Sequence, residues 1–320
     1  MASRRMNRLS PFAAFVLWAG CGLWTTPAPA QTLALGEPGD ERPIEVLADN
    51  GIEWQRDAKR FIARENASAK RGDTTVYADT LIAFYREKAA EKAKPASGEE
   101  PTGKTEIWRL EAQGHVRIVS PTETVTGDTA VYDVDNAVLV IKAAAGPKLT
   151  TPDTTVTARD SLEYWETKRQ AVARGNAVAV RDGRTLKGDV LVAYFADKGR
   201  TRGKAKAGKA GVRSDKIEIV DAFGHVEIVT PSEKATGDKG RYNLATGIAT
   251  LIDSVTLTRD QDVMNGAYAV VDTNREVSTL YAKRPGSEGK AAPVRGRFIP
   301  KNSQPPRPAP ASAQPEAPAP

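Results

Sequence analysis

The stretch EAQGHVRIVSPTETVTGDTAVYD, residues 111–133, decides the fold because the chain contains it twice. It aligns without a gap to DAFGHVEIVTPSEKATGDKGRYN, residues 221–243, and about half of the positions are identical. The same offset of 110 residues relates ADNGIEWQRDAKRFIARENASA, which starts at Ala48, to ARDSLEYWETKRQAVARGNAVA, which starts at Ala158. The chain is therefore a tandem duplication.

A shorter unit recurs within each copy. Segments such as GNAVAVRDGRTLKGDVLVAYF and GHVRIVSPTETVTGDTAVY each contain two runs of β-forming residues joined by a polar turn, which is typical of a β-hairpin. AVYDVDNAVLVIKA continues as strand, turn at Asp135–Asn136, and strand. Because no long amphipathic helical pattern is present, the sequence predicts an all-β fold, with meandering antiparallel sheets folded into a sandwich, a jelly roll or a solenoid and an apolar interior between layers.

The first 30 residues are predicted to form a secretory signal peptide. A segment with three arginines precedes an apolar run, 11–24, that is too short to span a bilayer, and an Ala-x-Ala motif ends at Ala30. Cleavage after Ala30 removes Cys21, the one cysteine, and lowers the formal net charge from +6 to +3. The alternative is a lipoprotein signal with a lipid anchor on Cys21.

The remaining chain is predicted to contain two structured repeats with flexible flanks. Residues 31–42 form a flexible N-terminal segment, 43–153 the first β repeat, 154–284 the second, and the Pro- and Ala-rich residues 285–320 a disordered tail. Lys-rich segments that start at Arg86 and Ala196 occupy equivalent places in the two copies and are predicted to be mobile surface loops. Contact with phosphate is the alternative use of their charge.

The two histidines, His115 and His225, are predicted to face solvent. Asn66 and Asn176 fill the same position in the sister units, which indicates a polar site. A zinc site needs three or four ligands, and a general base needs an orienting partner and a pocket, and the sequence offers no recognisable set of either kind. We therefore expect no metal, no cofactor and no catalytic residue.

A dipeptide of a small residue and Asp also recurs. It occurs at Ala78-Asp79, Gly127-Asp128, Gly188-Asp189 and Gly237-Asp238. Calcium binding is one interpretation, but the glycine-rich nonapeptides of calcium-binding solenoids are absent. The favoured interpretation is that the small residue permits a bulge or close strand packing and that the Asp faces water beside it.

Apolar faces are the remaining candidate for function. The chain lacks phosphate-binding and serine-nucleophile motifs, and its basic residues alternate with acids, which disfavours an enzyme and a nucleic-acid-binding protein. In GHVRIV, Val116 and Ile118 share one face while His115 and Arg117 share the other. The apolar face either packs into a core, the commoner use, or leaves room for an apolar ligand.

The order of these segments resembles a known family. PIEVLADNGIEW from Pro43, GNAVAV, GHVRIV, the TGD turn and AVYD are similar to the OstA-like fold of LptA proteins, the periplasmic bridge of lipopolysaccharide export. The resemblance covers about 43–282. It implies an antiparallel, twisted, open β-jelly roll with an apolar groove for lipid A acyl chains, elongated here by internal duplication, because a common family member has about the length of one copy with flanking strands.

The resemblance also implies partners and a location. The protein is expected in the periplasm, bound to lipopolysaccharide and joined head to tail with further copies through edge strands. Its ends are expected to dock on the inner-membrane Lpt complex and on the N-terminal domain of the outer-membrane translocon. The alternatives are an inner-membrane-associated relative of the same fold and a structural envelope β-repeat protein that binds only protein partners.

Ten apolar positions are predicted to face lipid. The family pattern assigns six of them in the first copy, and the internal repeat extends the assignment to four in the second. They are Ile44, Val46, Val116, Ile118, Tyr132, Val134, Val226, Ile228, Tyr242 and Leu244.

Overall fold

The computed structural model describes residues 44–87, 105–196, 216–288 and 292–299. Eighteen β-strands and no α-helix occur in these ranges, so the predicted all-β class is confirmed. Within the same ranges, no helix could cross a membrane. The signal peptide, Cys21, residues 31–42 and most of the two Lys-rich segments lie outside the described residues.

The first copy and the start of the second contain ten strands. They are β1 Glu45–Leu47, β2 Ile52–Gln55, β3 Arg60–Arg71, β4 Thr74–Glu87, β5 Thr105–Val119, β6 Thr124–Asp133, β7 Val138–Lys142, β8 Lys148–Thr150, β9 Thr154–Thr157 and β10 Ser161–Trp165. Eight strands follow: β11 Gln170–Arg181, β12 Arg184–Phe195, β13 Ile217–Val229, β14 Lys234–Asn243, β15 Ile248–Arg259, β16 Asp262–Asp272, β17 Val277–Tyr281 and β18 Arg295–Arg297.

All strands belong to one antiparallel meander. Long strands such as β3, β4, β5 and β6 pair in chain order, and β11 to β16 repeat this arrangement. Pairs of short strands stand in for a long strand at four places: β1 with β2, β7 with β8, β9 with β10, and β17 with β18. The sheet therefore has two edges, one formed by β1 and β2 and the other by β17 and β18.

The sheet bends along one line, here called the crease, and the crease divides the sheet into two halves, here called leaves. For example, β3 pairs with β2 through residues 60–63 and with β1 through residues 68–70, and the register shifts between Arg64 and Ala67. Similar shifts occur in β5, β11, β13 and β15. Because a bulge bends its strand, these aligned shifts fold the two halves of each strand toward each other.

The apolar interior lies between the two leaves. In the first copy, Ile118, Val125 and Leu149 from one leaf pack in the same cluster as Tyr132 and Leu139 from the other. The second copy has an equivalent cluster that includes Val226, Leu251 and Leu257. Alternation along each strand directs every second side chain inward and leaves its neighbours facing solvent.

The two copies are joined by direct strand pairing. Strand β7 pairs with β10 on one leaf, and β8 pairs with β9 on the other. Leu162 of β10 packs against the apolar clusters of both copies. The interior is therefore continuous across the junction.

The structure corrects two boundaries. Arg86 and Glu87, assigned to the first Lys-rich loop, belong to β4, where the Arg86 guanidinium donates two hydrogen bonds of 2.8 Å to the Asp135 carboxylate. The prediction of a disordered tail from 285 is wrong for residues 295–297, which form β18 and pair with Val263–Asn265. Residues 295–297 form a strand there because this half of β16 has no other outer neighbour.

Candidate functional site

Three of the predicted lipid-facing residues lie deep in the interior. Val116 and Ile118 of β5 are 2% and 1% exposed, and Val226 of β13 is 1% exposed. Each packs with aliphatic side chains of both leaves. A ligand therefore reaches them only when the leaves move apart.

Two predicted tyrosines join the interior to polar groups. Tyr132 is buried, and its hydroxyl donates to a Glu166 carboxylate oxygen at 3.1 Å. Burial raises the pKa of the Tyr132 phenol, and the Glu166 charge adds to the shift, so the phenol stays protonated. The Tyr242 hydroxyl lies 3.3 Å from Thr273 Oγ1. Both rings thus have an apolar body inside and a polar end.

The structure places the other predicted residues at the margins of the interior. Val134 and Ile228 are half-buried and pack against the clusters of the first and second copies, respectively. Ile44 precedes β1 and is exposed, Val46 is half-buried within β1, and Leu244 follows the last residue of β14. These last three residues belong to neither cluster, because the first two lie at the sheet edge and the third lies in a turn.

Sequence reasoning missed the residues at the centre of the second copy. Leu251, Val255 and Leu257 of β15 are fully buried there. The repeat contained the signal for Leu251, because the offset of 110 residues relates it to Ile141, which is buried in the first copy.

The crease explains the recurring glycine-histidine and asparagine positions. At five bulges both residues have a left-handed backbone: Glu65-Asn66, Gly114-His115, Gly175-Asn176, Gly224-His225 and Asp253-Ser254. Gly tolerates this conformation freely, and Asn, Asp and His adopt it more readily than other residues do. The left-handed backbone at this position therefore explains why His and Asn replace each other along the repeat.

The recurring aspartates contact these bulges from the preceding strand. Asp79 Oδ2 lies 2.9 Å from His115 Nδ1, and Asp189 Oδ2 lies at the same distance from His225 Nδ1. Asn66 Nδ2 donates to Asp49 at 2.8 Å in the same arrangement. The glycine-histidine motif and the recurring Asp motif therefore form one structural unit, in which a carboxylate contacts a bulge.

The histidines are exposed, as predicted. Their side chains are 91% and 90% exposed, and each contacts one carboxylate. In the described ranges no three His, Cys, Asp or Glu side chains converge in a way that could hold a metal ion. The predicted close packing is confirmed at Gly127, where a Cβ would meet Ile141 Cγ2 at 2.6 Å. At Gly188 and Gly237 the contacts of a Cβ would be ordinary.

We expect Asp79→Asn to lower the pKa of His115. The hydrogen bond that the imidazolium donates to Asp79, together with the charge of that carboxylate, holds the pKa of the His115 imidazole above its ordinary value, and the substitution removes the charge. An NMR pH titration of the ring protons measures the change. Asp189→Asn, which removes the equivalent carboxylate in the second copy, is the matched control and should leave the His115 titration unchanged. An unchanged His115 midpoint in Asp79→Asn would contradict the assigned contact.

Both edges of the sheet expose apolar side chains. Leu47 and Trp54 on β1 and β2 are exposed by more than half, as are Val277 on β17 and Phe298 after β18. The outer backbone groups of an edge strand are free to pair with another strand. The molecule therefore presents an apolar strand surface at each end of its interior.

Comparison with known proteins shows the family. The model of the family described as LptA/(LptD N-terminal domain) LPS transport protein matches the chain twice, over residues 45–159 and 155–277. The chain belongs to this family. The predicted OstA-like open β-jelly roll is thereby confirmed, and the two matches follow the internal repeat of the chain.

Solved structures of other proteins also match the chain. One match is the crystal structure of LptH, the LptA homologous periplasmic component of the lipopolysaccharide transport device from Pseudomonas aeruginosa. It is 20% identical, covers 46% of this chain and 95% of that chain, and gives a TM-score of 0.36. None of the curated proteins compared with the chain matches it.

Proposed function

We propose that the protein binds the acyl chains of lipopolysaccharide between its two leaves and carries them through the periplasm. The observation that carries the proposal is the continuity of the apolar interior, because Leu162 packs against the clusters of both copies. An acyl chain can therefore stay in contact with apolar side chains where the copies join. Fusion of the repeats 43–153 and 154–284 forms one longer path.

The energetics of acyl burial suit such a path. Each methylene that leaves water is worth about 0.8 kcal/mol, so an acyl chain of about a dozen carbons gains on the order of 10 kcal/mol. Ile118 and Val226 are packed against neighbours in the interior. Part of the gain is offset when the leaves separate and these contacts are lost. Because none of the described strand pairs crosses the interior from one leaf to the other, separation of the leaves widens the interior without breaking a strand pair.

The two edges support a role as a bridge. Trp54 near one edge and Phe298 near the other expose apolar surface beside strands that are paired on their inner side only. Edge strands with apolar side chains bind further strands by β-augmentation. We propose that copies join head to tail through these edges, and that the outer edges dock on the inner-membrane Lpt complex and on the outer-membrane translocon.

Photocrosslinking at Ile118 tests the lipid site. A photoreactive aliphatic residue at this position is expected to form an adduct with lipopolysaccharide, because Ile118 faces the interior. The same residue at Arg117 is the matched control, since Arg117 lies one position away, faces outward and stacks on Tyr77. An adduct at Ile118 and none at Arg117 supports the proposal. Equal labelling, or no adduct at Ile118, would favour a structural envelope protein without lipid cargo.

A further inference from the structure

Aspartates form a line along the outer side of the crease. Each contacts the strand that follows it in the sheet, either at the bulge of a long strand or at the corner between two short strands. The six are Asp49, Asp79, Asp128, Asp160, Asp189 and Asp238. Five of these contacts are hydrogen-bond length: 2.8 Å from Asp49 to Asn66, 2.9 Å from Asp79 to His115, 2.6 Å from Asp128 to the Ala144 amide, 2.9 Å from Asp189 to His225 and 3.2 Å from Asp238 to Ser254. A carboxylate therefore occupies every crease position from the first edge to β14.

The line stops at β16. Asp189 lies opposite the β11 bulge because Arg174 pairs with Val190 and Ala177 pairs with Gly188. By the same register, Ile252 pairs with Tyr268 and Val255 pairs with Gly266, so Ala267 lies opposite the β15 bulge. The dipeptide Gly266-Ala267 thus takes the place of Gly-Asp. With Ala267 at this position, β16 offers no aspartate to the corner between β17 and β18.

A cleft of about 650 Å³ lies at this position, and Ala267 is in its wall. Four cationic side chains also line it: Lys239, Lys283, Arg284 and Arg295. In the part of the chain that the structure describes, none of the four is held in an ion pair. Two acids, Asp253 and Glu288, share the lining, so cations exceed acids by two.

We propose that this cleft is a binding site for a phosphoryl group, which takes the place of the missing carboxylate. Two arginines and two lysines line the same cleft as Ala267, which takes the crease position that an aspartate fills elsewhere. Guanidinium forks match the oxygens of phosphate, and charge-assisted bonds of this kind are about twice as strong as neutral ones. The volume exceeds that of a carboxylate and admits a phosphorylated group.

The site lies outside the apolar interior and does not depend on acyl binding. Ala267 belongs to the crease, whereas the proposed lipid path runs through residues such as Ile118 and Leu251. The phosphoryl group has two sources, a phosphorylated lipid headgroup and free phosphate. Failure of the lipid crosslink at Ile118 would therefore leave the phosphoryl site standing, and the reverse also holds.

Calorimetric titration of the full mature chain with inorganic pyrophosphate at low ionic strength tests the site. The native protein is expected to bind one equivalent, and Ala267→Asp is expected to weaken binding by about tenfold or more, because the new carboxylate fills the site and repels the anion. This variant should fold, since four other strands carry Asp in the same register. Lys283→Ala with Arg284→Ala should weaken binding without adding a charge to the crease.

Arg275→Ala is the matched control. It removes one guanidinium from the turn between β16 and β17, outside the cleft lining, and should leave binding unchanged. The absence of pyrophosphate binding to the native protein, or equal affinity of Ala267→Asp, would overturn the proposal. Lipopolysaccharide and its dephosphorylated form distinguish the sources. A difference in their affinities that disappears in Ala267→Asp identifies the lipid headgroup, whereas pyrophosphate binding without such a difference identifies free phosphate.

Discussion

Leu251→Ala is expected to lower the free energy of unfolding by about 3 to 5 kcal/mol, the range for a leucine removed from a packed core. Leu251 is fully buried at the centre of the second apolar cluster, with neighbours on both leaves. The substitution leaves a cavity that the neighbouring strands cannot fill, because each is fixed by pairing on both sides. Equilibrium unfolding in guanidinium chloride measures the loss.

Leu47→Ala is the matched control for Leu251→Ala. The chemical change is identical, but Leu47 is 61% exposed on the edge strand β1. We expect a change of about 0.5 kcal/mol or less, as for most surface substitutions. If the two variants lose similar stability, the space between the leaves is not the stabilising core.

Gly146→Ala is expected to destabilise the junction between the two copies by about 3 kcal/mol, since it combines a left-handed backbone with a steric clash. Gly146 has a φ of 87°, and a Cβ there would collide with the Ala158 carbonyl oxygen. That oxygen belongs to the chain between β9 and β10 and cannot rotate away. Hydrogen exchange should therefore show faster opening of the amides that pair β7 with β10.

Gly183→Ala separates the two causes. Gly183 also has a left-handed backbone, with a φ of 73°, but no atom lies within 4 Å of a Cβ built there. Its substitution should cost about 1 kcal/mol from conformation alone. A loss as large as that of Gly146→Ala would show that the clash with Ala158 contributes nothing.

The repeat made much of the fold predictable. The strand class, the turn at Asp135–Asn136 and the inward direction of Val116 and Ile118 followed from residue type and alternation, and the structure has them all. These features depend on neighbours in the sequence. The strand formed by residues 295–297 did not follow, because a three-residue strand depends on the vacant edge of β16 and not on its own composition.

The contact between Asp79 and His115 was not predictable in the same way. The two residues are 36 positions apart, and they meet only because β4 and β5 pair in one particular register. The sequence showed each motif but not the register that joins them. Nor could it show whether the apolar faces pack or remain open, since this depends on the angle between the leaves.

The order of strand pairing has a consequence for how the protein folds and how it evolves. Because every full-width strand contacts only the strands before and after it in the chain, folding can nucleate in any hairpin and propagate to its neighbours in either direction. No connection has to cross another when units are added. A gene duplication therefore lengthens such a protein by a whole unit without rerouting the chain, so its reach changes in fixed steps.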